Sequence, residues 1–332
     1  MARRVLAVSL ACLLSLVAPP AEGAVHDHDH DCPAPARTTG RAEPRPLSAT
    51  ELAQMNAALR NHPGPIPATV TVPLWIHVLT DGVTGAPDAA VREQVAVLNH
   101  AYAGRYGGVD TGVRFALQGI TRTDNKEWFR NPLGLEDPMK SRLRKGGSET
   151  LNLYVSQLGE LVLGYATYPN WYSGNPRHDG VVIDWRTLPG GALRNFNFGF
   201  TGVHEIGHWL GLVHTFENGC SEPGDSVDDT PAQATPTEGC PEKRDSCTAA
   251  GEDPIHNFMD YAHDRCMNQF TAGQGLRMRQ AWVTYRGGVT AGQTRSSGPA
   301  GILGTQAGQV QTAPPRPLTG LSASLFIPRG RG

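Results

Sequence analysis

Net charge is the first thing this 332-residue sequence lacks: 29 Lys and Arg against 31 Asp and Glu leave −2 at neutral pH. So small an imbalance offers no electrostatic case for nucleic acid or an anionic membrane as partner. Aromatic residues are scarce at 7% and charged residues at 18%. Hydrophobic residues still reach 39%, enough for a packed core in one large domain or two small ones. Beyond the first twenty or so positions no apolar run is long enough to span a bilayer. Cysteine is sparse too, six in all, whereas 39 Gly and 26 Pro promise many turns and long loops.

The start reads as an export signal. Arg3 and Arg4 precede an apolar run over 5–17, and Ala21 and Gly23 supply small residues for cleavage. We therefore expect 1–23 to be a signal peptide and the mature protein to be extracellular. Export changes the meaning of cysteine. Loss of Cys12 leaves Cys32 alone near the new N-terminus and Cys220, Cys240, Cys247 and Cys266 close together. Those four suit two disulfides. They allow three pairings, and spacing does not choose among them.

Residues 24–65 are polar and Pro-rich, the composition of a prosegment and not of a core. They contain one short helix expected from a Ser48 cap through Leu59. Alternating β-rich stretches at 71–80, 112–122, 150–158 and 180–185 predict strands. Val91, Val95 and Leu98 predict one face of a helix over 88–102 capped by Asp88, and a short basic helix is expected over 137–145. Strands and helices alternate up to Gly211, after which regular patterning fades. The expected fold is α+β: a twisted, mostly parallel sheet with two main helices above a cleft, and an irregular, disulfide-tied lower subdomain. The globular domain should span 66–286, and the Gly-, Ala-, Pro- and Ser-rich 287–332 should be a disordered or removable tail.

The stretch HEIGHWLGLVH, 204–214, carries the chemistry. His204 and His208 lie four apart, so a helix puts both on one face within reach of one ion. Glu205 lies about 100° round the helix from His204, beside such an ion and not on it, where a base acting on water belongs. Gly211 can take the left-handed conformation that ends a helix, and His214 then returns from another direction. Three imidazoles and one open position make the ligand count of a catalytic zinc site. His77, His100, His178, His256 and His263 read as polar contacts or loop residues.

This pattern, with HNFMDY at 256–261 as a methionine turn, resembles the long zinc-binding consensus of the metzincin metallopeptidases. Together with GDSVDDTP (224–231), GCP (239–241) and CMNQFT (266–271) it is similar to the pappalysin family. The resemblance covers about residues 70–285. It implies a zinc-dependent endopeptidase made as a zymogen, acting on proteins or peptides. Glu205 would take a proton from zinc-activated water and pass it to the leaving amine, Tyr261 would stabilise the tetrahedral intermediate, and Met259 would floor the metal site. The family's pattern implies Cys220–Cys247 and Cys240–Cys266. It places Asp264 in the pocket for the residue after the scissile bond, which favours Arg or Lys there. It implies a calcium ion at Asp225, Val227, Asp229 and Thr230, and a prosegment thiolate, here Cys32, on the open zinc position.

The residues alone leave other readings. The acidic loop also reads as merely solvated, Tyr261 as a buried structural tyrosine, and Asp264 as a salt-bridge partner for Arg265. HDHDHDCPAP lacks the family's usual latch surroundings, so Asp29 or Asp31 competes with Cys32 for that role. The whole chain could be a non-catalytic zinc or peptide-binding module, or belong to another metzincin branch. Intact Glu205 and Tyr261 speak against the first, and the cysteine-rich stretch against the second.

Overall fold

The computed structural model describes residues 44–159 and 162–287. The expected signal peptide, Cys32 with Asp29 and Asp31, and the expected tail from 288 onward lie outside the described residues.

Five strands form one sheet in the order β2-β1-β3-β5-β4. They are β1 (Val70–Thr80), β2 (Val113–Asp124), β3 (Leu151–Ser156), β4 (Gly164–Ala166) and β5 (Val181–Asp184). β1 pairs parallel with β2 and β3, and β3 parallel with β5. The mostly parallel expectation therefore holds. No sequence signal marks β4, which lies in the aromatic loop before β5 and pairs antiparallel with it as an edge. Three residues are too few to show a period. The strands lie close to their expected stretches because a buried parallel sheet demands near-continuous apolar runs, and every residue of β3 and β5 is buried.

Helix α1 (Ala49–Arg60) starts at Ser48, whose hydroxyl accepts from Glu51 N in a full capping box. Helix α2 (Asp88–Tyr102) begins at Asp88 with Pro87 at the cap, so Asp88 does not cap the helix as expected; its carboxylate instead pairs with Arg122. Two short helices, α3 (Lys126–Arg130) and α4 (Glu136–Leu143), link β2 to β3. Helix α5 (Phe200–Trp209) is buried at every position. It packs with α2 over the sheet in one core that includes Val91, Leu98, Tyr102, Val203, Ile206 and Trp209.

Two expectations need correction. Residues 24–65 do not lie wholly outside a core: Leu52, Met55 and Leu59 of α1 are buried against Tyr168, Val213 and Ala281. Those three residues recur at helical spacing, a signal that the surrounding Pro-rich composition masked. Regular structure also resumes after Gly211. Helix α6 (Ala272–Ala281) carries a Thr271–Gln274 capping box and runs into one π-helical turn, Trp282–Arg286. Its buried face includes Gln274, Gly275 and Arg277, so apolar periodicity could not find it.

Between α5 and α6 the chain is loops and turns tied by two disulfides. Cys220 joins Cys247 and Cys240 joins Cys266, with Cα–Cα separations of 5.5 and 5.6 Å. This is the interlocked pairing that the resemblance implies. Buried Asp260 is a hub here, accepting from Thr237 N, Tyr261 N and Gln233 Nε2. No helix among the described residues is long and apolar enough to cross a membrane.

Candidate active site

Helix α5 carries His204, Glu205 and His208, all fully buried. After Trp209 the chain turns at Gly211, whose φ of +91° suits glycine. His214 comes back to the first two histidines. One ligand nitrogen from each of the three lies within 4.8 Å of the others. Among the described residues no other group of three or more His, Cys, Asp or Glu side chains converges in this way.

The donor chemistry fits a metal ion. His204 Nδ1 sits 2.7 Å from the Phe258 carbonyl and His208 Nδ1 2.8 Å from the Leu212 carbonyl. A carbonyl can only accept, so both Nδ1 atoms carry the proton and both Nε2 atoms keep a lone pair. Those two Nε2 atoms face each other at 3.1 Å, a wasteful arrangement for two acceptors unless a cation sits between them. Tyr168 Oη also lies 3.0 Å from His208 Nδ1. Such partners fix ring orientation around a metal.

Glu205 reaches the site because β4 has no side chain in its path. A Cβ on Gly164 would fall 2.6 Å from Glu205 Cγ. Met259 lies under the helix. A Cβ on Gly207 would fall 2.5 Å from its Sδ, and its backbone carbonyl accepts from Thr215 N. Met259 is therefore a packed floor, fully buried. Tyr261 stands at the side, its ring 5.7 Å from that of His204 and 4.9 Å from that of His214.

Asp264 is buried. Its Oδ2 accepts from Phe198 N at 2.8 Å, and its own N–H donates to Asn195 O. The loop before α5 and the loop after Tyr261 are thereby zipped together. The Cys240–Cys266 link holds the second of these two loops, two residues beyond Asp264. The acidic loop is tied to itself and to the start of α6. Asp225 Oδ1 accepts from Val227 N, Asp229 Oδ2 accepts from Gly273 N, and Thr230 N donates to Val227 O. Burial pushes the Asp225 carboxyl up to about 7. The other histidines among the described residues are not part of this cluster. His77, for example, is buried between Thr121 Oγ1 and Asn152 Oδ1.

Sequence reasoning missed the outer ring. Asp179 accepts from Trp209 Nε1 and pairs with Arg286 at 2.8 Å, both fully buried. Tyr168, Asp179, Arg277 and Arg286 come from loops, from α6 and from the turn that follows it, where no motif marks them.

The comparisons agree with this geometry. A family model described as pregnancy-associated plasma protein-A matches residues 153–283. An extracellular metalloprotease of Arthroderma benhamiae is 42% identical over 250 residues, covering 72% of this chain and 82% of that one. A similarly named protein of Verticillium alfalfae is 46% identical over 229 residues, covering 66% and 78%. Among solved structures, mature mirolysin of Tannerella forsythia in complex with a cleaved peptide is 31% identical with a TM-score of 0.56, over 65% of this chain and 92% of that one. A promirolysin mutant from the same organism is 29% identical with a TM-score of 0.62, over 71% and 88%.

Proposed function

The chain belongs to the pappalysin family of metzincin metallopeptidases, and from that membership we propose that it is a secreted zinc-dependent endopeptidase, made as a zymogen, that cuts before Arg or Lys. The observation that carries the reading is the three-histidine cluster with Glu205 beside it, all on or next to one buried helix. His204, His208 and His214 would hold the zinc. When bound, zinc polarises a carbonyl and makes a neighbouring water acidic near neutral pH.

Glu205 would accept the proton of the attacking water and return it to the departing amine. Tyr261 stands beside two of the histidine rings, where its hydroxyl can meet the charge that develops on the substrate carbonyl. β4 ends the sheet order, so an extended peptide can add to its outer edge by backbone pairing, and antiparallel addition suits the site. Buried Asp264 would supply the charge for a basic side chain following the scissile bond. The relatives are named extracellular metalloproteases, and one structural neighbour is a pro-form. Both support secretion and a prosegment within 24–65. Cys32, Asp29 or Asp31 would be the latch. We also propose calcium at the loop formed by Asp225, Val227, Asp229 and Thr230, whose oxygen donors suit a hard cation.

Glu205→Gln decides between an enzyme and a binding module. It keeps size and polarity but removes the base. We expect a loss of at least about a thousandfold in kcat/KM on a generic protein substrate, with zinc content unchanged. Equal activity would sink the proposal.

A further inference from the structure

The turn that brings His214 to the site is held from behind. Helix α5 ends at Trp209, and a helix end leaves carbonyls without intrahelical partners. Two of the carbonyls at this end are taken by buried arginines of the C-terminal segment. Arg277 Nε donates to Gly211 O at 2.8 Å, and Arg286 Nη2 donates to Trp209 O at 3.2 Å. Arg286 is neutralised by Asp179 and lies 3.8 Å over the Trp209 ring. Among the described residues Arg277 has no such tight ion pair: its Nη2 donates to Asn56 Oδ1 of α1 at 2.7 Å.

The position of Arg277 is the informative one. Its bond fixes the peptide plane between Gly211 and Leu212. The N–H of that same peptide donates to Gly207 O, inside the helix. The next carbonyl, Leu212 O, is the one that receives His208 Nδ1. Two residues further on is His214. One guanidinium thus fixes the peptide immediately before the one whose carbonyl holds the second histidine, and from there the chain runs on to the third. The contact is close-packed as well, because a Cβ on Gly211 would meet Ala281 Cβ of the same helix at 2.9 Å. Burial has a cost for Arg277, whose guanidinium is lowered to about 10.

We propose that Arg277 is a positioning residue for the metal site, acting through the Gly211–Leu212 peptide on His208 and His214. The proposal rests on the zinc reading of the three histidines. The test uses enzyme matured from the full chain, in wild-type form and as Arg277→Met, Arg277→Lys and Arg279→Met. Arg279 is the control: it belongs to the same helix but donates to Thr111 O, away from the site. Zinc loss to excess chelator is timed, and the visible spectrum of the Co2+-exchanged protein is recorded.

Arg277→Met should lose zinc about tenfold faster or more and shift the cobalt bands. Arg277→Lys should recover part of both, and Arg279→Met should match wild type within about twofold. Wild-type rates and spectrum in Arg277→Met would overturn the proposal, as would an equal change in Arg279→Met, which would mean general loosening. If Arg277→Met is not secreted, Arg277→Lys decides: unchanged zinc loss and spectrum overturn the role, and faster loss with shifted bands supports it. A wild-type protein that binds no zinc would remove the underlying reading too.

Discussion

Glu205 occupies the space where Gly164 would carry a side chain: a Cβ built on Gly164 lies 2.6 Å from Glu205 Cγ and 2.8 Å from its Oε1. The edge strand and the proposed general base are therefore in contact through the absence of one methyl group. Gly164→Ala should displace the carboxylate without touching a histidine. We expect kcat/KM to fall by about a hundredfold, the scale set by displacement of a catalytic group by about 1 Å. Zinc content should stay at the wild-type level. Full activity in Gly164→Ala would show that the carboxylate has another position from which it works.

Specificity should separate from chemistry at Asp264. Its backbone and Oδ2 are committed to the loop before α5, through Asn195 O and Phe198 N. Asp264→Asn keeps the shape and an acceptor oxygen but loses the charge. Profiling of cleavage sites in a peptide library should then lose its preference for Arg and Lys after the cut bond. Loss of one charged pairing should lower kcat/KM on basic substrates by about ten- to a hundredfold and leave apolar ones nearly unchanged. An unaltered profile would remove Asp264 from substrate recognition.

Calcium should stabilise the lower half. Asp225 is buried with its carboxyl pushed up to about 7, a state that a bound cation would reverse by favouring the charged form. Addition of millimolar calcium to protein stripped by a chelator that spares zinc should raise the melting temperature by several degrees, through preferential binding to the folded state. Asp225→Asn should abolish that rise. A melting temperature indifferent to calcium in the wild type would argue for a loop that only holds itself together.

The extent to which the sequence was readable follows from the kind of signal each element leaves. β1, β3 and β5 are buried runs and α2 has an apolar face, so composition and period locate them. HEIGHWLGLVH carries its spacing in one segment, and one helix and one glycine turn suffice to assemble it. β4 was hidden because three residues, Gly164–Ala166, hold no pattern. α6 was hidden because it buries polar Gln274 and Arg277 and Gly275 beside Met278 and Ala281 and exposes Leu276, which blurs the apolar period. Tyr168, Asp179 and Arg286 meet around Trp209 and His208 from three separate parts of the chain. Only tertiary contact makes them neighbours.

Acid stability supplies a test that is independent of the metal. His77 is enclosed by Thr121, Asn152 and the stacked ring of Tyr154, 4.9 Å away. Burial, reinforced by the nearby charge of Lys145, lowers its imidazole to about 4, against an ordinary 6.5. The folded protein keeps His77 neutral between those values, while the unfolded chain takes up a proton there. The unfolded state then binds more protons, so stability is fully present above pH 6.5 and falls as pH drops toward 4. The contribution is about 1.4 kcal/mol for each pH unit inside that window. Burial of Asp225 acts in the opposite sense over part of the same range, so the wild-type curve alone is a sum. The difference between wild type and His77→Gln isolates the imidazole. Urea unfolding at pH 7, 6, 5 and 4.5 should give a shallower loss in His77→Gln than in wild type, even though the variant is less stable at pH 7. Parallel curves would mean that His77 gains its proton in the folded state as readily as outside it.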